Sequence, residues 1–121
     1  MPPERRAHSR YLPVETAYAA LGAEYSRVGK LRDFSLGGLS FEYIDHETQN
    51  GRNVTVDVFL VDDSFHIHNL PCRVIYDVLL PGGDDDGAPL FNTRRCGISF
   101  TSHTSEQEKQ IKIFIRKHTS P

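Results

Sequence analysis

Arg32-Asp33-Phe34-Ser35-Leu36-Gly37-Gly38, residues 32–38, runs directly into Leu39-Ser40-Phe41-Glu42-Tyr43 at 39–43. The first segment is a turn carrying a carboxylate, a hydroxyl and two glycines. The second alternates apolar and polar residues at the period of a half-buried strand. In an ordinary turn, Asp, Ser and Gly serve local hydrogen bonds and positive φ. A second polar cluster, Arg5-Arg6-Ala7-His8-Ser9-Arg10, favours a binding turn instead, because no core accommodates such a run.

Outward from this stretch the alternation continues. Pro13 to Leu21 reads as a first strand, Gly22 and Gly29 bracket a loop or hairpin, and Val28–Asp33 is the partner strand. Val54, Val56, Val58 and Leu60 alternate with polar residues before an Asp62-Asp63-Ser64 turn. Phe65 and Ile67 begin the next strand, and Cys72, Val74, Tyr76 and Val78 resume its phase beyond Pro71, where a bulge or break is expected. The Gly/Pro/Asp composition of residues 81–89 predicts an exposed, flexible loop, and Cys96, Ile98 and Phe100 mark the last strand. Thr104-Ser105-Glu106-Gln107 fits a capping box opening a helix that runs to about Lys117, with Ile111, Phe114 and Ile115 on its apolar face. Short alternating strands ending in one amphipathic helix predict an all-β fold, an antiparallel barrel or sandwich with a helical lid.

The 121 residues suit one domain with a modest core, and 38% hydrophobic with 25% charged residues excludes disordered and fibrous classes. Residues 1–33 hold six Lys/Arg against four Asp/Glu, residues 34–93 two against ten, and residues 94–121 six against two. Basic ends flanking an acidic middle favour a small anion as partner and argue against DNA or RNA, which want a broad basic face. Cys72 and Cys96 form neither a CxxC pair nor a disulfide-dense pattern, so a reducing compartment is expected. No apolar run is long enough to span or insert into a membrane, and no signal-peptide core is evident, so the expected location is cytoplasmic.

Arg6 and Arg10 are four residues apart, about 13 Å on an extended arm and about 6 Å on a helical turn. Either spacing straddles a ligand with two phosphates or two bases, and guanidinium meets phosphate oxygens in a bidentate manner and stacks on bases. The plain alternative is a solvated basic arm. Asp33 can accept from guanine N1–H and its amino group, Ser35 can donate to a phosphate or pair with the base, and Gly37 and Gly38 allow close approach. His66 and His68 share one side of a strand but lack a third ligand, so exposed histidines are expected and no metal. Asp84, Asp85 and Asp86 read as a solvated run, Cys72 and Cys96 as core, Tyr76 as core before a ring that stacks on a base, and Arg94 and Arg95 as a solvent-facing pair or the far wall of a ligand site. Ser35, Asp33 and His8 lack a strained nucleophile turn, so no catalytic residue and no enzyme is expected.

RxxxR in an N-terminal arm, then Asp-x-Ser-x-x-Gly between strands, then a closing helix, resembles the PilZ domain, a bacterial receptor module for cyclic di-GMP. Arg6 to Arg10 fits the first motif, Asp33 to Gly38 the second, and Cys96 to Phe100 the family's last strand. The resemblance implies a single domain over 1–121: a flexible arginine arm at 1–12, a six-stranded antiparallel β-barrel at 13–102 and a C-terminal α-helix at 104–118. It also implies that Arg5, Arg6, Arg10, Asp33, Ser35, Gly37 and Gly38 surround cyclic di-GMP, with no other cofactor. The basic Arg5 leans towards a stacked ligand pair. An unidentified effector protein would receive the signal; the alternative is an adaptor that keeps the barrel without the ligand.

Overall fold

The computed structural model describes residues 9–22, 27–44, 53–80 and 93–120. Arg5, Arg6, His8 and the aspartates at 84–86 lie outside them. The chain forms β1 (Leu12–Pro13), β2 (Ala17–Leu21), β3 (Arg27–Phe34), β4 (Gly38–Ile44), β5 (Asn53–Leu60), β6 (His66–Leu79), β7 (Thr93–Phe100), α1 (Ser105–His118) and β8 (Thr119–Ser120).

Six of these strands close into an antiparallel barrel in the order β2-β3-β4-β7-β6-β5, with β5 returning to β2. The alternation in β4 works as expected: Leu39, Phe41 and Tyr43 point inward beside Val56, Val58, Ile67, Cys72 and Cys96. The closing helix is opened by the capping box, with Gln107 N donating to Thr104 Oγ1 and Thr104 N to Gln107 Oε1, both at 3.0 Å. Its apolar face plugs the barrel, where the Phe114 ring sits 4.5 Å from that of Phe34 and 5.7 Å from that of Phe65.

The expected first strand is split. Leu12 and Pro13 pair with Ser120 and Thr119, a turn intervenes, and only Ala17–Leu21 joins the barrel. That pairing sets Leu12–Pro13 beside Thr119–Ser120, just past the basic last turn of α1. Gly29 lies within β3 rather than in a connecting loop, and the positive φ at this hairpin belongs to Gly22.

Among the described residues, three register shifts shape the barrel. One lies at Arg32 in β3, one sets His68 and Asn69 of β6 opposite Asp57, and one leaves Ile75 of β6 unpaired between Val74 and Tyr76. Pro71, the expected break, is paired with Thr55 and accepts from Thr101 N at 2.9 Å. The Ile75 bulge reverses the inward phase of β6, because each extra residue turns the following side chains to the other face. Tyr76 and Val78, expected in the core, are therefore exposed, and Asp77 points inward.

Asp77 anchors a buried polar node. Arg94 Nε reaches its Oδ1 at 2.9 Å, Arg94 Nη2 its backbone carbonyl at 2.9 Å, and the Tyr43 hydroxyl its Oδ2 at 2.5 Å. Arg27 Nε lies 3.6 Å from the same carboxylate, and its guanidinium stands 5.8 Å over the Tyr43 ring. Burial, and then this carboxylate, push the Tyr43 phenol well above its ordinary range.

Burial also raises the thiols of Cys72 and Cys96 to about 12, so both are inert packing groups, as expected. The folded state holds these thiol protons more tightly than the unfolded chain does. Their contribution to stability is therefore complete below about pH 8.5 and is lost as pH climbs towards 12. The urea midpoint should hold steady to about pH 8.5 and then fall, and a Cys72→Val, Cys96→Val variant should fall less steeply over that range.

Candidate functional site

The Asp33–Gly38 turn is built by its own serine. Ser35 N donates to Gly38 O at 2.8 Å, while Ser35 Oγ accepts from Gly37 N and Gly38 N, each at 3.1 Å, and lies 3.2 Å from Gly38 O. The hydroxyl is thus spent on holding the turn, and Ser35 is buried. Neither Gly37 nor Gly38 has positive φ; among described residues only Gly22 and Asn69 do. Gly38 is required for space instead, since a Cβ there would fall 2.2 Å from Ile98 O in the neighbouring strand.

The bulge at Arg32 sends Arg32 and Asp33 outward in succession between the buried Leu31 and Phe34. Asp33 then meets the end of the N-terminal arm. Tyr11 is clipped to β3 by a reciprocal pair, Tyr11 N to Phe34 O at 2.9 Å and Phe34 N to Tyr11 O at 3.1 Å. This sets Arg10 Nη1 at 3.0 Å from Asp33 Oδ2, in a pair open to solvent on one side.

Beside this pair lies a cleft of about 200 Å³, lined by Arg10, Asp33, the Ser35 turn with Gly37 and Gly38, Tyr76 and Ser99. The far wall comes from the second β6 bulge: Tyr76, turned outward, lays its ring over Gly97, where a Cβ would stand 2.2 Å from the ring. A guanidinium, a carboxylate, a rigid turn and an exposed aromatic face thus meet in one cleft, a combination suited to a phosphate-bearing aromatic ligand.

Of the expected site residues, Arg10, Asp33, Ser35, Gly37 and Gly38 come together here. Arg94 and Arg95 do not: Arg94 turns to Asp77, and Arg95 Nε lies 3.9 Å from Glu42. Ser99 carries no signal in the sequence, and Tyr76, there the less favoured candidate for stacking on a base, lines the cleft. The only signal for Tyr76 was its aromatic ring, which local phase assigned to the core.

Six strands closed by a helix, with an arginine held against an Asp-x-Ser-x-x-Gly turn at a polar cleft, define a small helix-capped barrel. The family model of the PilZ domain matches residues 4–117, and the chain belongs to this family. The PilZ domain of YcgR from Escherichia coli, solved with c-di-GMP, superposes with a TM-score of 0.69 at 20% identity, covering 95% of this chain and 92% of that one. YcgR from Escherichia coli in complex with c-di-GMP gives 0.64 at 20% identity over 93% of this chain and 45% of that one. MrkH, described as a c-di-GMP-dependent transcription regulatory factor, gives 0.60 at 15% identity over 90% and 48%. The chain therefore spans about half the length of these last two. No curated protein matches the sequence. Among the described residues, no helix is long and apolar enough to cross a membrane.

Proposed function

We propose that this chain is a cyclic di-GMP receptor working as one PilZ domain, and that the cleft beside Arg10 and Asp33 is its ligand site. The observation that carries this reading is the Arg10–Asp33 pair, held 3.0 Å apart at the mouth of a cleft whose opposite wall is the Tyr76 ring. Arg10 would swing part of its guanidinium from Asp33 to a phosphate, with Arg5 and Arg6 as further phosphate partners. Asp33 would accept from guanine N1–H and the amino group, and Tyr76 would offer a face to a base. Ser35, Gly37 and Gly38 would act by fixing the turn against which the ligand closes. Complexes of the similar YcgR proteins with c-di-GMP support the ligand class. The reading assigns no catalysis to the chain, and the bound state would be relayed to an effector protein.

Calorimetry with cyclic di-GMP on the wild type and Asp33→Ala tests this reading. Saturable binding that weakens as salt rises is expected for the wild type. Loss of two hydrogen bonds to guanine should weaken Asp33→Ala by about tenfold or more. No heat from folded wild type would overturn the proposal.

A further inference from the structure

The first β6 bulge gathers a second cluster that the ligand cleft does not use. His68 and Asn69 together oppose Asp57 of β5, and Asn69 takes a φ of 52° to allow it. Asp57 sits on the outward phase of its strand, yet its side chain is only 3% exposed, with the imidazoles of His66 and His68 against it. His66 Nε2 is 2.7 Å and His68 Nδ1 3.4 Å from the same Asp57 Oδ2, and the two rings stack with centroids 3.7 Å apart. Sequence alone offered two histidines without a third ligand, and the cross-strand pairing supplies one.

We propose that Asp57, His66 and His68 bind a borderline divalent transition-metal ion of the Zn²⁺ class. Two imidazole nitrogens and a carboxylate oxygen are the donors such an ion prefers, and a three-residue set leaves an outward position for water. One ligand atom from each residue lies within 4.8 Å of the other two. Zn–N and Zn–O bonds near 2.0–2.2 Å put tetrahedral ligand atoms about 3.3 Å apart, so the set needs only local adjustment to close on one ion. The more exposed His68 is free to make that adjustment, its side chain being 66% accessible.

The supporting contacts are those of a held site. Asn69 N donates to Asp57 Oδ1 at 3.0 Å and fixes the carboxylate. Gln110 Nε2 donates to His66 O at 3.2 Å and Gln107 Nε2 to His68 O at 2.8 Å, tying the ligand-bearing strand to α1. Such outer contacts preserve ligand geometry and tune affinity. Without an ion the Asp57 carboxylate stands against both imidazoles. Tyr76 lies eight residues further along β6, roughly 25 Å by strand rise, so the cluster is separate from the ligand cleft.

The test is calorimetry of Zn²⁺ into the untagged full chain at pH 7.5, repeated with His66→Ala, His68→Ala and His103→Ala. One ion per chain is expected, weakened by about tenfold or more in His66→Ala and His68→Ala and unchanged in His103→Ala, which lies outside the ligand set. If His66→Ala fails to fold, the exposed His68→Ala decides alone. Absence of saturable binding by the wild type, or unchanged affinity in His68→Ala, would overturn the proposal. Because the titration contains no nucleotide, its failure leaves the cyclic di-GMP reading untouched.

Discussion

Asp77→Ala is expected to lower the free energy of unfolding by about 3 kcal/mol or more, read as a drop in the urea midpoint at pH 7. The side chain of Asp77 is 3% exposed and that of Arg27 7% exposed, so the pair is shielded from water. Removing the carboxylate strips Arg27 and Arg94 of a shared counter-charge and Tyr43 of its acceptor. A buried charge that loses its partner costs far more than an exposed one, because water cannot enter to replace the lost contact. Asp77→Asn keeps an oxygen acceptor and the side-chain volume, so its loss should be smaller. An Asp77→Ala midpoint equal to wild type would show that the node is solvated.

Arg10→Ala should weaken cyclic di-GMP binding by about 100-fold, close to 2.8 kcal/mol, with little change in stability. The two effects separate because the Arg10–Asp33 pair is partly exposed and contributes at most about 1 kcal/mol to folding. In the proposed complex the same guanidinium meets phosphate, where charge and a bidentate fork add to each other. Arg10→Lys should fall between wild type and Arg10→Ala, since an ammonium keeps the charge and loses the fork. Titration calorimetry at fixed salt checks all three proteins.

The strands and the helix were legible because their signals are local. Leu39, Phe41 and Tyr43 declare an inward face within five residues, and Thr104 with Gln107 declares a helix start within four. The bulges were not legible, because a bulge is a property of two strands and appears only when they pair. Those bulges decide the chemistry. The one at Arg32 aims Asp33 at the arm, that at Ile75 exchanges Tyr76 for Asp77 on the inner face, and that at His68–Asn69 brings Asp57 to the histidines. Pro71 is the expected breaker, yet its missing N–H is tolerated opposite Thr55 and the distortion falls just before it.

The glycines and the serine of the turn teach the same lesson from the other side. Asp-x-Ser-x-x-Gly suggested a serine offered to a ligand and glycines that either let the ligand approach or supply positive φ. In the fold the serine serves the turn, and Gly38 keeps its place because β7 passes too close for a side chain. Asp33 is the group that the turn sets at the cleft, against Arg10.

Amide chemical-shift mapping of the isotope-labelled chain with cyclic di-GMP tests the central claim most directly. The account predicts saturable perturbations concentrated at Arg10, Asp33 to Gly38, Tyr76 and Gly97 to Ser99, with the Asp57, His66 and His68 end of the barrel unmoved. Perturbations centred on that far end or on α1, with the Ser35 turn silent, would contradict it.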